Sequence, residues 1–128
     1  MNYYEILREL YTPEFGSIWK APNKIWSTGF AHNKSREDLH PTVVARVHTD
    51  NSTVNLVPGT SKNYRRDNCV FSVKLNEGGR TTHFLIDLSM PSTVEEVKQL
   101  DRGWDGVYEL NDEQKAQFSS WSARCLEL

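Results

Sequence analysis

Apolar residues recur at helical spacing at both ends of the chain and at strand spacing between them. Over residues 2–10 the apolar positions lie three or four apart, which predicts a short helix that ends before Pro13. Between residues 21 and 110 the apolar runs are short, rich in β-branched residues and separated by turn residues. This pattern predicts five or six short antiparallel strands.

Two hairpins organise these predicted strands. Residues 50–52 and 77–80 have the composition of tight turns, and each turn lies between two strand-like runs. Residues 31–41 carry many charges and no apolar period, so we expect a long exposed loop there. The predicted strands are residues 25–30, 42–49, 53–61, 69–76 and 81–88, followed by an ambiguous strand or helix at 89–102 and a turn with a short edge strand at 103–110.

The C-terminal part of the chain predicts a second helix. Asn111 and Gln114 have the spacing of a capping box, with Asn in place of Ser or Thr. An apolar stripe at helical spacing follows, formed by Phe118, Trp121, Cys125 and Leu128.

These elements predict one domain of the α+β class, mainly β. We expect a helical extension over residues 1–20, a small antiparallel β-barrel over 21–110 and a C-terminal helix over 111–126. The length of 128 residues, with 38% hydrophobic and 25% charged positions, fits a single globular domain.

Composition narrows the classes of protein that the chain can belong to. Its longest apolar runs fall well short of the roughly 20 residues that a membrane helix needs, and its N-terminal residues lack the apolar core of a secretory signal. Cys69 and Cys125 are far apart in sequence, so we expect two thiols in a reducing cytoplasm rather than a disulfide. The histidines are scattered, so we expect neither a metal site nor a cofactor.

Charge is distributed unevenly along the chain. Residues 20–66 hold eight basic and three acidic residues, which gives +5, although the whole chain carries a net charge of −2. A basic segment within a slightly acidic protein indicates a polyanionic ligand.

The same basic segment contains an unusual strand end. The run "VNLVPGTSK" begins as a strand, stops at Pro58–Gly59 and then presents Thr60, Ser61 and Lys62. Two hydroxyls and an ammonium group at the end of a strand suit an anion, although a polar turn closed by the hydroxyls has the same composition.

Four pieces of sequence resemble the MazF/PemK family of toxin endoribonucleases, over about residues 24–122. They are a first strand with Trp26 before the charged loop, "HPTVVARV", "VPGTS", and "PSTVEEVKQLD" before the C-terminal helix. The resemblance implies an SH3-like barrel related to the CcdB/Kid fold. It also implies the toxin of a type II toxin–antitoxin system, a cytoplasmic homodimer that is neutralised by an antitoxin. Such an enzyme cleaves single-stranded RNA, including mRNA, without a metal and uses the 2′-hydroxyl as the nucleophile.

The resemblance also assigns candidate site residues. The family's basic residue before proline corresponds to His40, where the family usually has Arg, and the threonine of its V-P-x-T motif corresponds to Thr60. An Arg-x-Asp group found in some members corresponds to residues 93–95, which makes Glu95 the third catalytic candidate. The candidates for binding RNA are Lys34, Arg36, Arg46, Ser61, Lys62, Tyr64, Arg65 and Arg66.

The replacement of Arg by His at position 40 leaves two alternatives open. Arg is permanently charged and binds phosphate through two donors, whereas His titrates near neutral pH and can act as an acid or a base. The chain could therefore be a catalytically impaired barrel that binds RNA or a protein partner. A gyrase-directed toxin of the CcdB type is the other alternative, and it would use the C-terminal residues Leu126 and Leu128.

Overall fold

The computed structural model describes residues 2–3, 12–26, 35, 37–48, 50, 52–62 and 69–126. Within these residues the chain forms seven strands and two α-helices. The strands are β1 Ile18–Pro22, β2 Leu39–Val47, β3 Thr53–Thr60, β4 Val70–Lys74, β5 Thr81–Leu85, β6 Met90–Thr93 and β7 Asp101–Arg102. The helices are α1 Val94–Lys98 and α2 Asp112–Leu126, and short 3-10 helices occupy Asn23–Ile25 and Ile86–Leu88.

All seven strands belong to one antiparallel sheet in the order β4-β5-β3-β2-β1-β7, and β6 pairs with the first half of β3. Among the described residues β4 and β7 each pair along one edge, so the sheet is open. The prediction of a mainly β fold of the α+β class is confirmed. Both predicted hairpins are confirmed as well, since β2 pairs with β3 and β4 pairs with β5.

Both faces of the sheet are buried. The face covered by α2, which we call the helix face, carries Ile18, Val43, Val57, Phe71 and Phe84, and Phe118 of α2 packs on them. The opposite face, which we call the α1 face, carries Trp19, Ala21, Val44, Leu56 and Leu85, and it is packed against Trp26 and against Val97 of α1. Burial on both faces explains why β2 and β3 read as nearly continuous apolar runs instead of alternating.

The helix α2 begins at the predicted capping box. The backbone N–H of Gln114 donates to Asn111 Oδ1 at 2.8 Å, and the backbone N–H of Asn111 donates to Gln114 Oε1 at 2.9 Å. Two otherwise unsatisfied donors are therefore paired at the helix start. Phe118 is fully buried in the helix-face cluster, and Trp121 and Cys125 of the predicted stripe pack against it. Leu128, the last residue of the stripe, lies outside the described residues.

The β2–β3 turn is held by a side chain. Asp50 Oδ1 accepts the backbone N–H groups of Ser52 at 2.9 Å and Thr53 at 3.3 Å. These bonds, the one from Ser52 foremost, lower the pKa of the Asp50 carboxyl group because they stabilise its charged form. The turn therefore fixes the register of the hairpin that carries the candidate site.

The first strand of the structure, Ile18–Pro22, was not predicted from the sequence. Of the strand predicted over residues 25–30, Ile25 instead ends the 3-10 helix Asn23–Ile25. Both faces of β1 are buried, so it has no alternating pattern to detect. Residues 27–30 lie outside the described residues, as do most of the predicted helix over 2–10 and residues 31–34 and 36 of the loop predicted over 31–41.

Three other boundaries differ from the prediction. The strand β2 begins at Leu39, three residues before the predicted start, and continues through Pro41. The ambiguous segment 89–102 contains both predicted alternatives in succession, β6 and then α1. Residues 103–110 form a turn with isolated bridges, Trp104 to Val107 and Ser17 to Glu109, instead of an edge strand.

Cys69 and Cys125 are half-buried thiols that are not joined in a disulfide, as predicted. Across the residues that the structure describes, no helix has the length and apolar character needed to cross a bilayer.

Candidate functional site

The β2–β3 hairpin brings two predicted site residues to its open end. Thr42 pairs with Pro58, and extending this antiparallel register by two residues places His40 opposite Thr60. Residues that lie directly opposite each other point to the same side of a sheet. His40 and Thr60 are both half-buried, and they share the α1 face with Ala21, which pairs with His40 on β1.

Two further polar residues continue this row across the sheet. Thr60 pairs with His83 on β5, and His83 pairs with Ser72 on β4. We call His40, Thr60, His83 and Ser72 the polar row. Since neighbouring strands lie about 4.8 Å apart, the backbones of His40 and His83 are separated by about 10 Å and flank Thr60.

Each strand of the polar row changes from apolar to polar in the same direction. On the α1 face of β2, Val44 is followed by Thr42 and then by His40. On the same face of β3, Leu56 is followed by Pro58 and then by Thr60. The same change occurs from Leu85 to His83 on β5 and from Val70 to Ser72 on β4. The apolar cluster therefore ends at one boundary, where four strands together present hydroxyls and imidazoles.

His83 is oriented by a short hydrogen bond. Its Nδ1 atom lies 2.6 Å from Ser72 Oγ. When Nδ1–H donates to this hydroxyl, the Nε2 atom carries the lone pair of the neutral ring. Burial lowers the pKa of the His83 imidazole below its ordinary value of 6.5, because desolvation disfavours the charged ring.

Thr60 closes the strand end and still has a proton to donate. The backbone N–H of Lys62 donates to Thr60 Oγ1 at 3.2 Å, which is the bond of a polar turn. The hydroxyl proton of Thr60 remains able to donate to another acceptor, because a hydroxyl is donor and acceptor at once. Ser61 and Lys62 are exposed beside it. The structure confirms that the Thr60 hydroxyl closes a polar turn at the end of "VPGTSK", and the binding of an anion there stays a prediction.

Gly59 allows the close approach of β3 and β5 at the row. A Cβ atom at position 59 would lie 2.9 Å from both Phe84 Cε1 and Thr82 Cγ2. Contacts this short are sterically excluded unless those side chains move. The absence of a side chain at Gly59 therefore permits the pairing of Thr60 with His83.

One nitrogen of His40 is covered in this structure. The Nε2 atom of His40 is buried, although the residue as a whole is half-buried.

The structure does not bring Glu95 or Arg46 to the polar row. Thr93, two residues before Glu95, pairs with Thr53 at the start of β3. Thr53 is seven residues from Thr60, which is about 23 Å along an extended strand. Arg46 is exposed beyond the β-bulge of β2, about 20 Å along the strand from His40. The other RNA-binding candidates, Lys34, Arg36, Tyr64, Arg65 and Arg66, lie outside the described residues.

Sequence patterns did not assign a role to His83 or Ser72. The hairpin around residues 77–80 contains enough information to place Ser72 opposite His83. The pairing of Thr60 with His83 joins strands that are not adjacent in the chain, and no local pattern predicts it. Within the described parts of the chain, no group of three His, Cys, Asp or Glu side chains is arranged to hold a metal ion.

Solved structures with the same fold are MazF proteins. A MazE–MazF complex from Deinococcus radiodurans matches with a TM-score of 0.58 and 15% identity over 92% of this chain and 98% of that chain. MazF alone from the same organism matches with a TM-score of 0.58 and 13% identity over 92% of this chain and 99% of that chain. No protein-family model and no curated protein matches the sequence. The chain therefore has a MazF-like fold.

Proposed function

We propose that the chain is the toxin of a toxin–antitoxin pair and cleaves single-stranded RNA, with the substrate's own 2′-hydroxyl as the nucleophile and without a metal ion. The observation that carries this proposal is the polar row, which places imidazole and hydroxyl groups at one strand boundary of a MazF-like fold.

The residues of the row match what the reaction requires. Cleavage by the 2′-hydroxyl needs a group to remove the hydroxyl proton, donors for the charge that develops on phosphorus oxygens, and a proton for the leaving 5′-oxygen. Imidazoles titrate near neutral pH, so they can remove the 2′-hydroxyl proton and can supply a proton to the leaving 5′-oxygen. The hydroxyl of Thr60 and the ammonium group of Lys62 can donate to the phosphate oxygens on which negative charge develops.

The comparison with solved MazF structures also suggests which protein binds this chain. The solved MazE–MazF complex supports an antitoxin as the protein partner of this chain. We propose that the chain acts as a cytoplasmic homodimer and that the antitoxin covers the RNA-binding groove. An extended or helical peptide segment is the usual occupant of such a groove.

Purified protein is expected to cut a mixed-sequence single-stranded RNA in the presence of EDTA. The products should end in a 2′,3′-cyclic phosphate and a 5′-hydroxyl, because the 2′-oxygen displaces the 5′-oxygen. Mass spectrometry of the fragments identifies these ends. The His48→Ala variant is a matched control, since His48 is half-buried and bonded to Asn55 Oδ1 at 3.1 Å, away from the row.

Two other results would contradict the proposed activity. Intact RNA at high concentrations of folded protein rules out cleavage, and binding that weakens steeply with salt then identifies an RNA-binding protein that does not cleave. Cleavage that requires a divalent ion contradicts the metal-independent chemistry.

A further inference from the structure

His83, to which the sequence patterns gave no role, lies between Thr60 and Ser72 in the polar row. His83 pairs directly with Thr60 on one side and with Ser72 on the other. Its ring is held by the 2.6 Å contact between Nδ1 and Ser72 Oγ, so the ring direction is fixed by a partner on the next strand. An oriented imidazole beside a hydroxyl that can donate to phosphate is the arrangement of an acid–base catalyst.

We propose that His83 is the general base of RNA cleavage, that Ser72 positions it, and that His40 supplies the proton to the leaving group from the opposite side of Thr60. This inference rests on the proposed ribonuclease function and adds a second imidazole to it.

The positions of the two imidazoles suit the geometry of phosphoryl transfer. The attacking and leaving oxygens lie roughly in line on opposite sides of phosphorus. His40 and His83 lie on the strands that flank β3, with backbones about 10 Å apart and Thr60 between them. A phosphate held at Thr60 would therefore have one imidazole on each side.

The proposed step is balanced within the substrate and the two histidines. Nε2 of His83 takes the 2′-hydroxyl proton as the 2′-oxygen forms its bond to phosphorus. The P–O5′ bond breaks, and the 5′-oxygen leaves with a proton from His40. The products are a 2′,3′-cyclic phosphate and a 5′-hydroxyl, with His83 protonated and His40 neutral, and proton exchange with water restores both rings.

The surroundings of His83 favour the neutral ring that a base requires. On the described strands the charged groups on its face are Lys74 of β4 and Arg102 of β7, which pairs with Trp19, and Lys62 follows Thr60 at the end of β3. Burial lowers the pKa of the His83 imidazole and so favours the uncharged ring. His40 is the titratable group across β3. The base is therefore active above the pKa of His83, and the rate falls as pH drops below it.

The first test measures kcat/KM against pH for wild type, His83→Gln and Ser72→Ala on one defined RNA. Wild type should lose activity below an apparent pKa that is lower than 6.5. His83→Gln should be at least about 100-fold slower and should lack this acidic limb. Ser72→Ala should lose about tenfold in kcat while KM and the acidic limb remain, since the base is present but less well oriented.

The second test uses an RNA in which sulfur replaces the scissile 5′-oxygen. The sulfur leaves as a thiolate, which needs no proton because thiol pKa values lie near 8.5. His40→Ala should recover most of its lost rate on this substrate, and His83→Gln should not. Recovery by His83→Gln instead would make His83 the acid and overturn the assignment.

The outcomes separate this inference from the proposed function. If wild type does not cut RNA, the proposed function fails. If wild type cuts RNA and folded His83→Gln is equally fast with the same pH profile, only this inference fails. Circular dichroism and thermal unfolding of His83→Gln establish that a slow variant is folded, and His48→Ala should match wild type in rate and pH profile.

Discussion

His40→Ala should lower RNA cleavage about 1000-fold while the protein stays folded. Removal of a positioned acid–base group typically costs 10²- to 10⁴-fold in rate, and about 1000-fold corresponds to about 4 kcal/mol of transition-state stabilisation. His40 also carries the positive charge nearest to Thr60 on β2 when it is protonated, so its removal affects both the leaving group and the developing charge.

The measurement is kcat/KM on a defined RNA at neutral pH, with thermal unfolding as the check of folding. His48→Ala is the matched control because it removes a half-buried histidine from the other end of the hairpin, where His48 bonds to Asn55. A His40→Ala variant within a fewfold of wild type would show that the histidine before Pro41 has a structural role only.

Phe118→Ala should destabilise the fold by about 3–5 kcal/mol, the range for a phenylalanine removed from a packed core. Phe118 is fully buried, and its ring lies 5.4 Å from Phe71, 6.1 Å from Phe15 and 6.4 Å from Phe84, measured between centroids. Two of these contacts are edge-to-face, so the substitution removes favourable ring geometry as well as buried area. Because small domains are stable by only about 5–15 kcal/mol, a large share of the molecules should unfold under mild conditions.

Urea unfolding followed by tryptophan fluorescence measures this loss. Tyr108→Ala is the control, since Tyr108 is an exposed aromatic residue whose ring centroid lies 5.7 Å from Arg102 Cζ. Its removal should lower the free energy of unfolding by about 1 kcal/mol or less. Equal small losses in the two variants would mean that α2 does not pack on the helix face through Phe118.

Local patterns predicted the elements whose signals are contained in a few neighbouring residues. The capping box of Asn111 and Gln114 and the hairpins around residues 50–52 and 77–80 each depend on short-range chemistry, and the structure has all three. The strand β1 was not predicted, because Ile18 and Trp19 are buried on opposite faces of the sheet and the apolar–polar alternation that identifies a strand is missing.

The site was only partly predictable for a related reason. The hairpin alone aligns His40 with Thr60, because the two residues are about equally far from the turn at Asp50. His83 joins them through the pairing of β3 with β5, which depends on the order of strands in the sheet. Glu95 was assigned to the site by motif alignment, and the structure places it at the opposite end of β3.

The most direct measurement is an NMR titration of the histidine side chains with a 2′-deoxy oligonucleotide, which binds as RNA does but lacks the nucleophile. The imidazole resonances of His40 and His83 should shift together, with one apparent affinity, while those of His48 stay unchanged. Binding that leaves the His40 and His83 resonances in place, or that moves only one of the two, would contradict a site built from both imidazoles around Thr60.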